Sequence, residues 1–348
     1  MEVHEQARLD FALALRSGWA RTIYPQLGAR AWERCPGLGT LAADAVGEVV
    51  RQDPLYPWFA WLERGSQKLL WRAVADAVGE AAGATGEPDG GAGLVTLDLD
   101  PGLELPRWYT EWDIHLQPGG VWRDSASARV YELGAKLVML GENDDYLFHR
   151  LFVDTAVPAR GYRRIVDLGC GFGKSTRPLK QRHHGAEVIG VDLAGPLLVL
   201  AREQAERAGT ALTLLQRDCR RTGLTDASVD LVTATMLIHE LPVTAIVETI
   251  HEAARLLAPG GLLRILDFHL TGDPVGDLAM REHAVRNNEP FMTGLFELDL
   301  PAVCAGAGLT DARWAAFDER GAGRLPDLCW PDRPEWHFPW AVLEADKP

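Results

Sequence analysis

The sequence lacks the features that mark a membrane, secreted or nucleic-acid-binding protein. No apolar run approaches the ~18 residues of a membrane helix, and the first residues carry too many charges for a secretory signal peptide. Positive charge is scarce, because 35 basic residues face 49 acidic ones and the net charge is −14. Nucleic acids and anionic membranes attract positive charge. We therefore expect no nucleic acid and no membrane among the partners.

Cysteine is sparse, and tryptophan is missing from the middle of the chain. The five cysteines are odd in number, scattered and free of the paired spacing of a metal site, which is typical of a reducing cytoplasm. None of the 12 tryptophans lies between residues 123 and 313. The large aromatic surface therefore belongs to the two ends of the chain. There it either packs an interface or lines a partly aromatic pocket for an organic substrate.

The tryptophan-free stretch contains the most informative pattern, which runs from Arg163 to Asp192. The apolar run Ile165–Leu168 is typical of a buried parallel strand, and a helical segment and a second apolar strand, Val188–Val191, follow it. Between the first strand and the helix, glycines occupy alternate positions: Gly169, Gly171 and Gly173. Strand, glycine loop, helix, strand and the terminal acid Asp192 indicate the nucleotide-binding half of a doubly wound sheet.

Three classes of ligand suit such a loop, and the sequence of the loop distinguishes among them. A phosphate-binding P-loop needs its first glycine at position 168, which is Leu168. A dinucleotide-binding loop needs a third glycine at position 174, which is Lys174. The remaining candidate, S-adenosylmethionine, has a ribose and an adenine but no phosphate. Asp167 suits its ammonium end, and Asp192 suits its two ribose hydroxyls.

Further motifs follow in a fixed order. Residues 214–219 indicate a third strand that ends in an acid, and residues 224–234 a turn into a fourth strand. Residues 252–267 indicate a helix, a Pro-Gly-Gly turn and a fifth strand. With these motifs, roughly residues 160–270 resemble the class I S-adenosylmethionine-dependent methyltransferase family. The resemblance implies an α/β fold with a doubly wound, seven-stranded, mostly parallel sheet.

The ends of the chain complete this architecture. Apolar periodicity predicts helices over Val3–Tyr24, Leu41–Val50 and Trp58–Val78, a linker over residues 83–93 and a strand over Leu94–Leu99. Asp124 or Ser125 can cap a helix that runs through Leu140. Residues 312–317 and 336–343 suit the antiparallel strands that close the family's sheet. We therefore expect two domains. They are a mainly helical accessory domain at 1–123, which helps to form the substrate pocket, and a methyltransferase domain at 124–348, with its core at 160–270 and a lid insertion at about 271–300.

The resemblance also implies a set of cofactor contacts. The glycines permit close approach, Asp192 holds the ribose hydroxyls, and Asp218 meets the adenine edge with the backbone of Cys219. Helices before the glycine loop often cover the methionine end in this family, which makes Tyr131 a candidate contact. The expected cofactor-binding residues are Asp167, Gly169, Cys170, Gly171, Gly173, Asp192, Leu193, Asp218, Cys219, Tyr131 and Thr235.

Three residues are candidates for catalysis. His239 follows the fourth strand at the sheet edge where ligands bind, and it could accept a proton from a substrate hydroxyl or amine. Glu240 could pair with a cationic amine. His115 lies in an aromatic and acidic segment, residues 106–120. It is either a strand that plugs a domain interface, or a strand or loop that reaches over the cofactor with Tyr109, Glu111, Asp113 or His115.

No metal is expected, and several functions stay open. His239, His251, Asp267 and His269 are spread around one sheet edge without a dense ligand motif. The leading hypothesis is S-adenosylmethionine-dependent methyl transfer to a small organic molecule in specialised metabolism, by a cytoplasmic enzyme. A homodimer is the candidate assembly. The alternatives are a peptide or protein methyltransferase, a non-catalytic S-adenosylmethionine-binding module and a nicotinamide oxidoreductase.

Overall fold

The computed structural model describes residues 3–81, 93–141, 143 and 146–348, which fold around one large β-sheet. Its strands are β1 (Val95–Asp98), β2 (Arg164–Leu168), β3 (Glu187–Asp192), β4 (Leu212–Gln216), β5 (Val229–Thr235), β6 (Leu257–Phe268), β7 (Thr310–Asp318), β8 (Gly323–Arg324) and β9 (Trp340–Asp346). The helices of the described residues are α1 (Val3–Arg34), α2 (Ala43–Arg51), α3 (Tyr56–Ala81), α4 (Arg107–Thr110), α5 (Ser125–Leu137), α6 (Leu147–Ala156), α7 (Thr176–Arg182), α8 (Gly195–Arg207), α9 (Val243–Leu256), α10 (Pro274–Arg286), α11 (Met292–Glu297) and α12 (Leu300–Gly306).

The order of strands in the sheet confirms the predicted fold class. It is β1-β4-β3-β2-β5-β6-β9-β7-β8, in which β1 to β6 pair in parallel and β7 and β9 are antiparallel. The described sheet has nine strands where seven were expected. The seven central strands are those of the expected core, while β1 and the two-residue β8 extend its edges. β1 comes from the expected accessory domain and pairs with β4, and the domain boundary at residue 123 stays a prediction.

The apolar runs form the central strands as expected. Ile165, Val166 and Leu168 in β2 are almost fully buried, because helices cover both faces of the parallel sheet. The Pro-Gly-Gly segment at 259–261 lies within β6 near its start. These strands bring their carboxyl ends to one edge of the sheet.

The amino-terminal region is helical, as predicted, but its first helix is longer. The prediction ended α1 at Tyr24, before Pro25, whereas the helix continues through Pro25 to Arg34. A proline inside a helix removes one backbone hydrogen bond. Here the turns beyond it bury Leu27 and Ala31, which are 1% and 0% exposed, and this burial offsets the loss. The predicted linker at 83–93 lies outside the described residues except for Gly93.

Helical turns form the segment that was expected to be a strand or loop. α4 and a 3-10 turn at Ile114–Leu116 occupy residues 106–120, and His115 and Leu116 both adopt left-handed backbone angles, with φ of 57° and 63°. Two such residues in succession are uncommon for side chains other than glycine. Asp124 then caps α5 as predicted, since its carboxylate accepts a 2.8 Å hydrogen bond from the Ser127 amide.

The carboxyl-terminal part packs against the first helix. The expected lid insertion contains α10 and α11, and β7 and β9 are the predicted antiparallel strands. The last strand begins at Trp340, four residues later than predicted. The Trp336 amide donates instead to the Ala20 carbonyl at 2.9 Å, and its ring packs against Trp19 and Tyr24. A search of the described helices found none with the length and apolar character of a membrane span.

Candidate functional site

A cavity lies at the carboxyl ends of the central strands, next to the point from which the chain winds outward in both directions. It encloses about 1000 Å³ free of protein atoms, including its mouth. We call it the glycine-loop cavity. Its wall brings together ten predicted site residues, namely His115, Tyr131, Gly169, Cys170, Gly171, Asp192, Leu193, Cys219, Thr235 and Glu240.

The glycine loop has a backbone that side chains would disturb. Gly169 has φ of 63°, and a Cβ atom there would lie 2.6 Å from Leu237 Cδ1. Gly171 has φ of 53°, and its amide donates a 2.8 Å hydrogen bond to Asp192 Oδ2. Glycine adopts these left-handed angles at little cost. The loop can therefore expose backbone groups close to a ligand.

Asp192 presents a fixed carboxylate to the cavity. Its Oδ2 accepts from Gly171 and its Oδ1 from the Ala194 amide, both at 2.8 Å. Burial raises the pKa of Asp192 to about 6 against the lowering effect of these two amides. Each carboxylate oxygen retains a further acceptor position, so the group can accept hydrogen bonds from two neighbouring hydroxyls.

Three residues that were predicted to bind the cofactor line neither this cavity nor a second cavity, which is described below. Asp167 is fully buried, and its carboxylate accepts hydrogen bonds from three hydroxyls, those of Ser175, Thr176 and Thr233. It therefore supports the loop from beneath. β4 ends two residues before Asp218, whose carboxylate binds the guanidinium of Arg220. Gly173 is likewise absent from the wall.

Lys174 is a wall residue that the sequence reasoning missed. It is 8% exposed, its Nζ donates to the Tyr131 hydroxyl at 3.0 Å, and it lies 4.8 Å from the centre of that ring. The sequence presented it as a mismatch to a dinucleotide-binding loop. Its position after the three glycines was the available signal. A buried ammonium group in the wall can bind an anionic group of a ligand.

A second cavity adjoins the first. It comprises about 550 Å³ free of protein atoms, including its mouth, and we call it the aromatic cavity because its wall includes Trp71, Phe268, Phe338 and Trp340. Five residues line both cavities, and we call them the neck: His115, Tyr131, Lys174, Met236 and Glu240. The two cavities are therefore neighbours that share these side chains in their walls.

His239 lines the aromatic cavity and is held in a fixed orientation. Its Nδ1 lies 2.7 Å from Asp267 Oδ1, while Asp267 Oδ2 accepts from the amides of Leu237 and Ile238. With Asp267 as acceptor, Nδ1 carries the hydrogen and Nε2 keeps its lone pair in the neutral ring. Burial alone would lower the pKa of His239, but the Asp267 carboxylate raises it above its ordinary value.

His115 lies between two carboxylates. Its Nδ1 is 2.8 Å from Glu289 Oε1, and its Nε2 is 3.1 Å from Glu240 Oε1. Burial lowers the pKa of His115, and the two glutamates together raise it well above its ordinary value. In the same segment Tyr109 lines the glycine-loop cavity, whereas Glu111 and Asp113 are exposed.

A further buried ionic cluster, which continues from Glu289, joins α3 to α10. His283 Nε2 lies 3.4 Å from Glu289 Oε1, and its Nδ1 lies 2.6 Å from Glu63 Oε1. Glu63 also accepts from Arg286 Nε at 2.5 Å. Burial lowers the pKa of His283, but the two glutamates raise it to about 9. No sequence pattern indicated this cluster.

Comparisons with known proteins agree with the geometry of the glycine loop. Residues 165–261 match a family model described as a methyltransferase domain. Over 138 residues the chain is 35% identical to demethylmenaquinone methyltransferase of Thermus thermophilus, covering 40% of this chain and 60% of that protein. It is also 35% identical over 109 residues to trans-aconitate 2-methyltransferase of Methylobacterium radiotolerans, covering 31% and 39%.

The chain thus spans less than two thirds of the length of these curated relatives. Among solved structures, it resembles an S-adenosylmethionine-dependent methyltransferase of Archaeoglobus fulgidus with a TM-score of 0.48 and 15% identity, covering 62% of this chain and 100% of that one. Likeness at this level supports no conclusion about activity. The matched domain and its relatives confirm the resemblance seen in the sequence. The domain that carries the glycine loop belongs to the class I S-adenosylmethionine-dependent methyltransferase family, whose cofactor is S-adenosylmethionine.

Proposed function

We propose that the protein transfers a methyl group from S-adenosylmethionine to a small organic molecule held in the aromatic cavity. The observation that carries this proposal is the meeting of the two cavities at the neck. The glycine loop and Asp192 suit the cofactor on one side. On the other side lies a separate space for an acceptor. The methyl group would cross the neck between them.

The residues of the glycine-loop cavity fit this cofactor. When bound, S-adenosylmethionine supplies a methyl group that is already activated on a sulfonium centre. Asp192 would accept hydrogen bonds from the ribose hydroxyls, and Lys174 would bind the methionine carboxylate. Cys219 and Leu241 offer apolar contacts to the adenine ring. Tyr131, which receives the Lys174 hydrogen bond, would contact the methionine end.

The aromatic cavity and His239 suit the acceptor. Flat aromatic walls favour a planar or aromatic molecule. His239 Nε2 would accept a proton from a hydroxyl or amine of the acceptor, while Asp267 keeps the ring in the required tautomer. The buried wall excludes water from the reacting groups. The chain would thus align the acceptor and remove its proton.

The enclosure of the aromatic cavity favours a small molecule over a peptide. Every residue in its wall is buried or half-buried, whereas a peptide substrate would need an open groove. Relatives named for demethylmenaquinone and trans-aconitate also support a small-molecule substrate. We place the reaction in specialised metabolism because an acidic protein with a large aromatic accessory region suits it better than modification of nucleic acids. A homodimer remains a prediction.

The proposal is tested first by calorimetry with S-adenosylmethionine, S-adenosylhomocysteine and NADH. We expect micromolar binding of both adenosyl ligands and none of NADH. A mass-spectrometric screen of hydroxylated aromatic compounds and organic acids should then detect a methylated product. If neither adenosyl ligand binds, the proposal is wrong. If they bind and no acceptor of any class yields a product, the protein is a binding module.

His239→Ala tests the role of this side chain once an acceptor is known. We expect kcat to fall by about 10²- to 10⁴-fold, the usual contribution of a general base, with little change in affinity for S-adenosylmethionine. His251→Ala is the control, because His251 is an exposed histidine on α9. Full activity of the His239 variant would remove it as the base.

A further inference from the structure

Two histidines and a glutamate converge at the neck, although the sequence predicted no metal site. His115, His239 and Glu240 each place one ligand atom within 4.8 Å of the others. His115 Nε2 lies 3.1 Å and His239 Nε2 lies 3.9 Å from Glu240 Oε1. His115 comes from the 3-10 turn after α4, and the other two from the turn after β5. The chain thus assembles one cluster from segments 125 residues apart.

We propose that this cluster binds a divalent transition-metal ion through His115 Nε2, His239 Nε2 and a Glu240 carboxylate oxygen. Imidazole and carboxylate together suit ions such as Zn²⁺, Mn²⁺, Fe²⁺ and Co²⁺. Ligand bonds of about 2.1 Å imply separations of roughly 3.0 to 3.4 Å between ligand atoms. The 3.1 Å separation already fits. The 3.9 Å separation between His239 and Glu240, and a spacing of up to 4.8 Å within the cluster, would have to close by side-chain rotation when the ion binds.

Each histidine has the second contact that metal-binding histidines generally have. Such a ring donates its other N–H to a carboxylate or carbonyl, which fixes its tautomer and orientation. His239 makes this contact with Asp267 at 2.7 Å, and His115 makes it with Glu289 at 2.8 Å. Both carboxylates are buried, at 0% and 4% exposure. In both rings, therefore, Nε2 is the nitrogen that faces Glu240. His115 would release its Nε2 proton to solvent when the ion binds.

The charges around the cluster also favour a cation. Three carboxylates, those of Glu240, Glu289 and Asp267, lie around two imidazole rings in the interior. Buried carboxylates are costly unless they are paired or bind a metal. The ion would replace the hydrogen bond between His115 and Glu240. It would also offset the backbone strain at His115, whose φ is 57°.

The position of the ion determines which molecules it could bind. His115 and Glu240 line both cavities and His239 lines the aromatic cavity, so open coordination positions would face the neck. If the proposed methyl transfer is correct, the methyl acceptor would place an oxygen atom on the ion there. With the ion bound, His239 Nε2 is a ligand and no longer a base, and the ion would promote loss of the acceptor's proton instead. This narrows the acceptor to molecules with an oxygen donor, such as a phenol, an enol or a hydroxy acid.

The test is metal binding to the full chain after removal of metal by a chelator. We expect calorimetry and elemental analysis to show one Zn²⁺ or Co²⁺ per chain with micromolar or tighter affinity. His115→Ala, His239→Ala and Glu240→Gln should each weaken binding by at least about 100-fold, and Glu289→Gln by about 10- to 100-fold. His251→Ala is the matched control, and it should bind as the wild type does.

Two further measurements make the result decisive. The visible spectrum of bound Co²⁺ should change when acetohydroxamate, a small oxygen chelator, fills the open positions. Circular dichroism and S-adenosylmethionine binding, measured on each variant without metal, report whether it is folded. No binding by the wild type, or equal binding by all ligand variants, would overturn the inference. Because cofactor binding is measured separately, that outcome leaves the proposed methyl transfer intact, and failure of cofactor binding leaves the metal site intact.

Discussion

At the scale of single residues, Asp192 links the glycine loop to the proposed ribose contact. Its two oxygens each accept one backbone amide and keep a further acceptor position for a ligand in the cavity that Asp192 lines. The sequence predicted this side chain from its place at the end of a strand. It could not predict that burial raises the pKa to about 6, because that shift depends on neighbours from other segments.

The raised pKa gives cofactor binding a pH dependence. The ionised carboxylate accepts from both hydroxyls, whereas the protonated form loses an acceptor position as pH falls below about 6. We expect affinity for S-adenosylhomocysteine to be roughly 10-fold weaker at pH 5 than at pH 7. Asp192→Asn should bind about 10- to 100-fold more weakly at pH 7, as expected for loss of a charged hydrogen bond, and without this slope. Calorimetry from pH 5 to 8 measures the affinities of the wild type and of the variant. A wild-type affinity that does not change with pH would contradict the ribose role.

Gly169 is the second residue whose role a single substitution can test. An alanine at its left-handed φ of 63° costs about 1–2 kcal/mol. Its Cβ, 2.6 Å from Leu237 Cδ1, would also displace the turn that carries His239. We expect Gly169→Ala to lower the free energy of unfolding by about 2 kcal/mol and to weaken cofactor binding.

Urea denaturation and calorimetry measure these two effects. Gly185→Ala is the matched control, since Gly185 has an ordinary φ and open space around its Cβ position, and it should change neither quantity. Equal behaviour of the two variants would show that the loop does not need the left-handed conformation.

At the scale of elements, local patterns predicted what local physics determines. β2 and β3 followed from apolar runs that are buried on both faces, and α5 followed from the Asp124 cap. The helical turns around His115 could not be predicted in this way. His115 has a left-handed backbone and contacts Glu289, which precedes α11, and Glu240, which follows β5, and both glutamates lie far along the chain. Single candidates such as His115 and His239 were found, whereas their convergence required the tertiary structure.

The ionic cluster between α3 and α10 gives the prediction at this scale. At pH 7 His283 carries a proton, because its pKa is raised to about 9. Glu63→Gln would therefore leave the buried His283 and the half-buried Arg286 without their shared carboxylate. Removal of one partner from a buried pair costs about 3–5 kcal/mol, and we expect the free energy of unfolding to fall by this amount.

The control for Glu63→Gln is Asp226→Asn. Asp226 also pairs with an arginine, Arg255, but its side chain is 78% exposed. Exposed pairs contribute about 0–1 kcal/mol, so this variant should unfold almost as the wild type does. A similarly small change in the Glu63 variant would mean that water or a shifted side chain replaces the carboxylate.

At the scale of the whole molecule, the two ends of the chain enclose the sheet rather than forming a detached unit. β1 extends the sheet through β4, and the Trp336 segment is tied to α1. One hydrophobic cluster contains Trp19 from α1, Ile165 from β2 and Trp340 from β9. The sequence showed where the tryptophans lie along the chain. It could not show that several of them pack against the core while others line the cavities.

This shared core predicts that the accessory region and the sheet unfold together. All 12 tryptophans lie outside residues 123–313, so tryptophan fluorescence reports on the two ends, whereas far-UV circular dichroism reports on the whole chain. If the hydrophobic cluster joins them, both signals should give the same urea midpoint, as in a two-state transition. S-adenosylhomocysteine should shift both midpoints equally, since it binds the folded state alone. A fluorescence transition at lower urea would show that the ends separate first, and would place an independent domain boundary near residue 123.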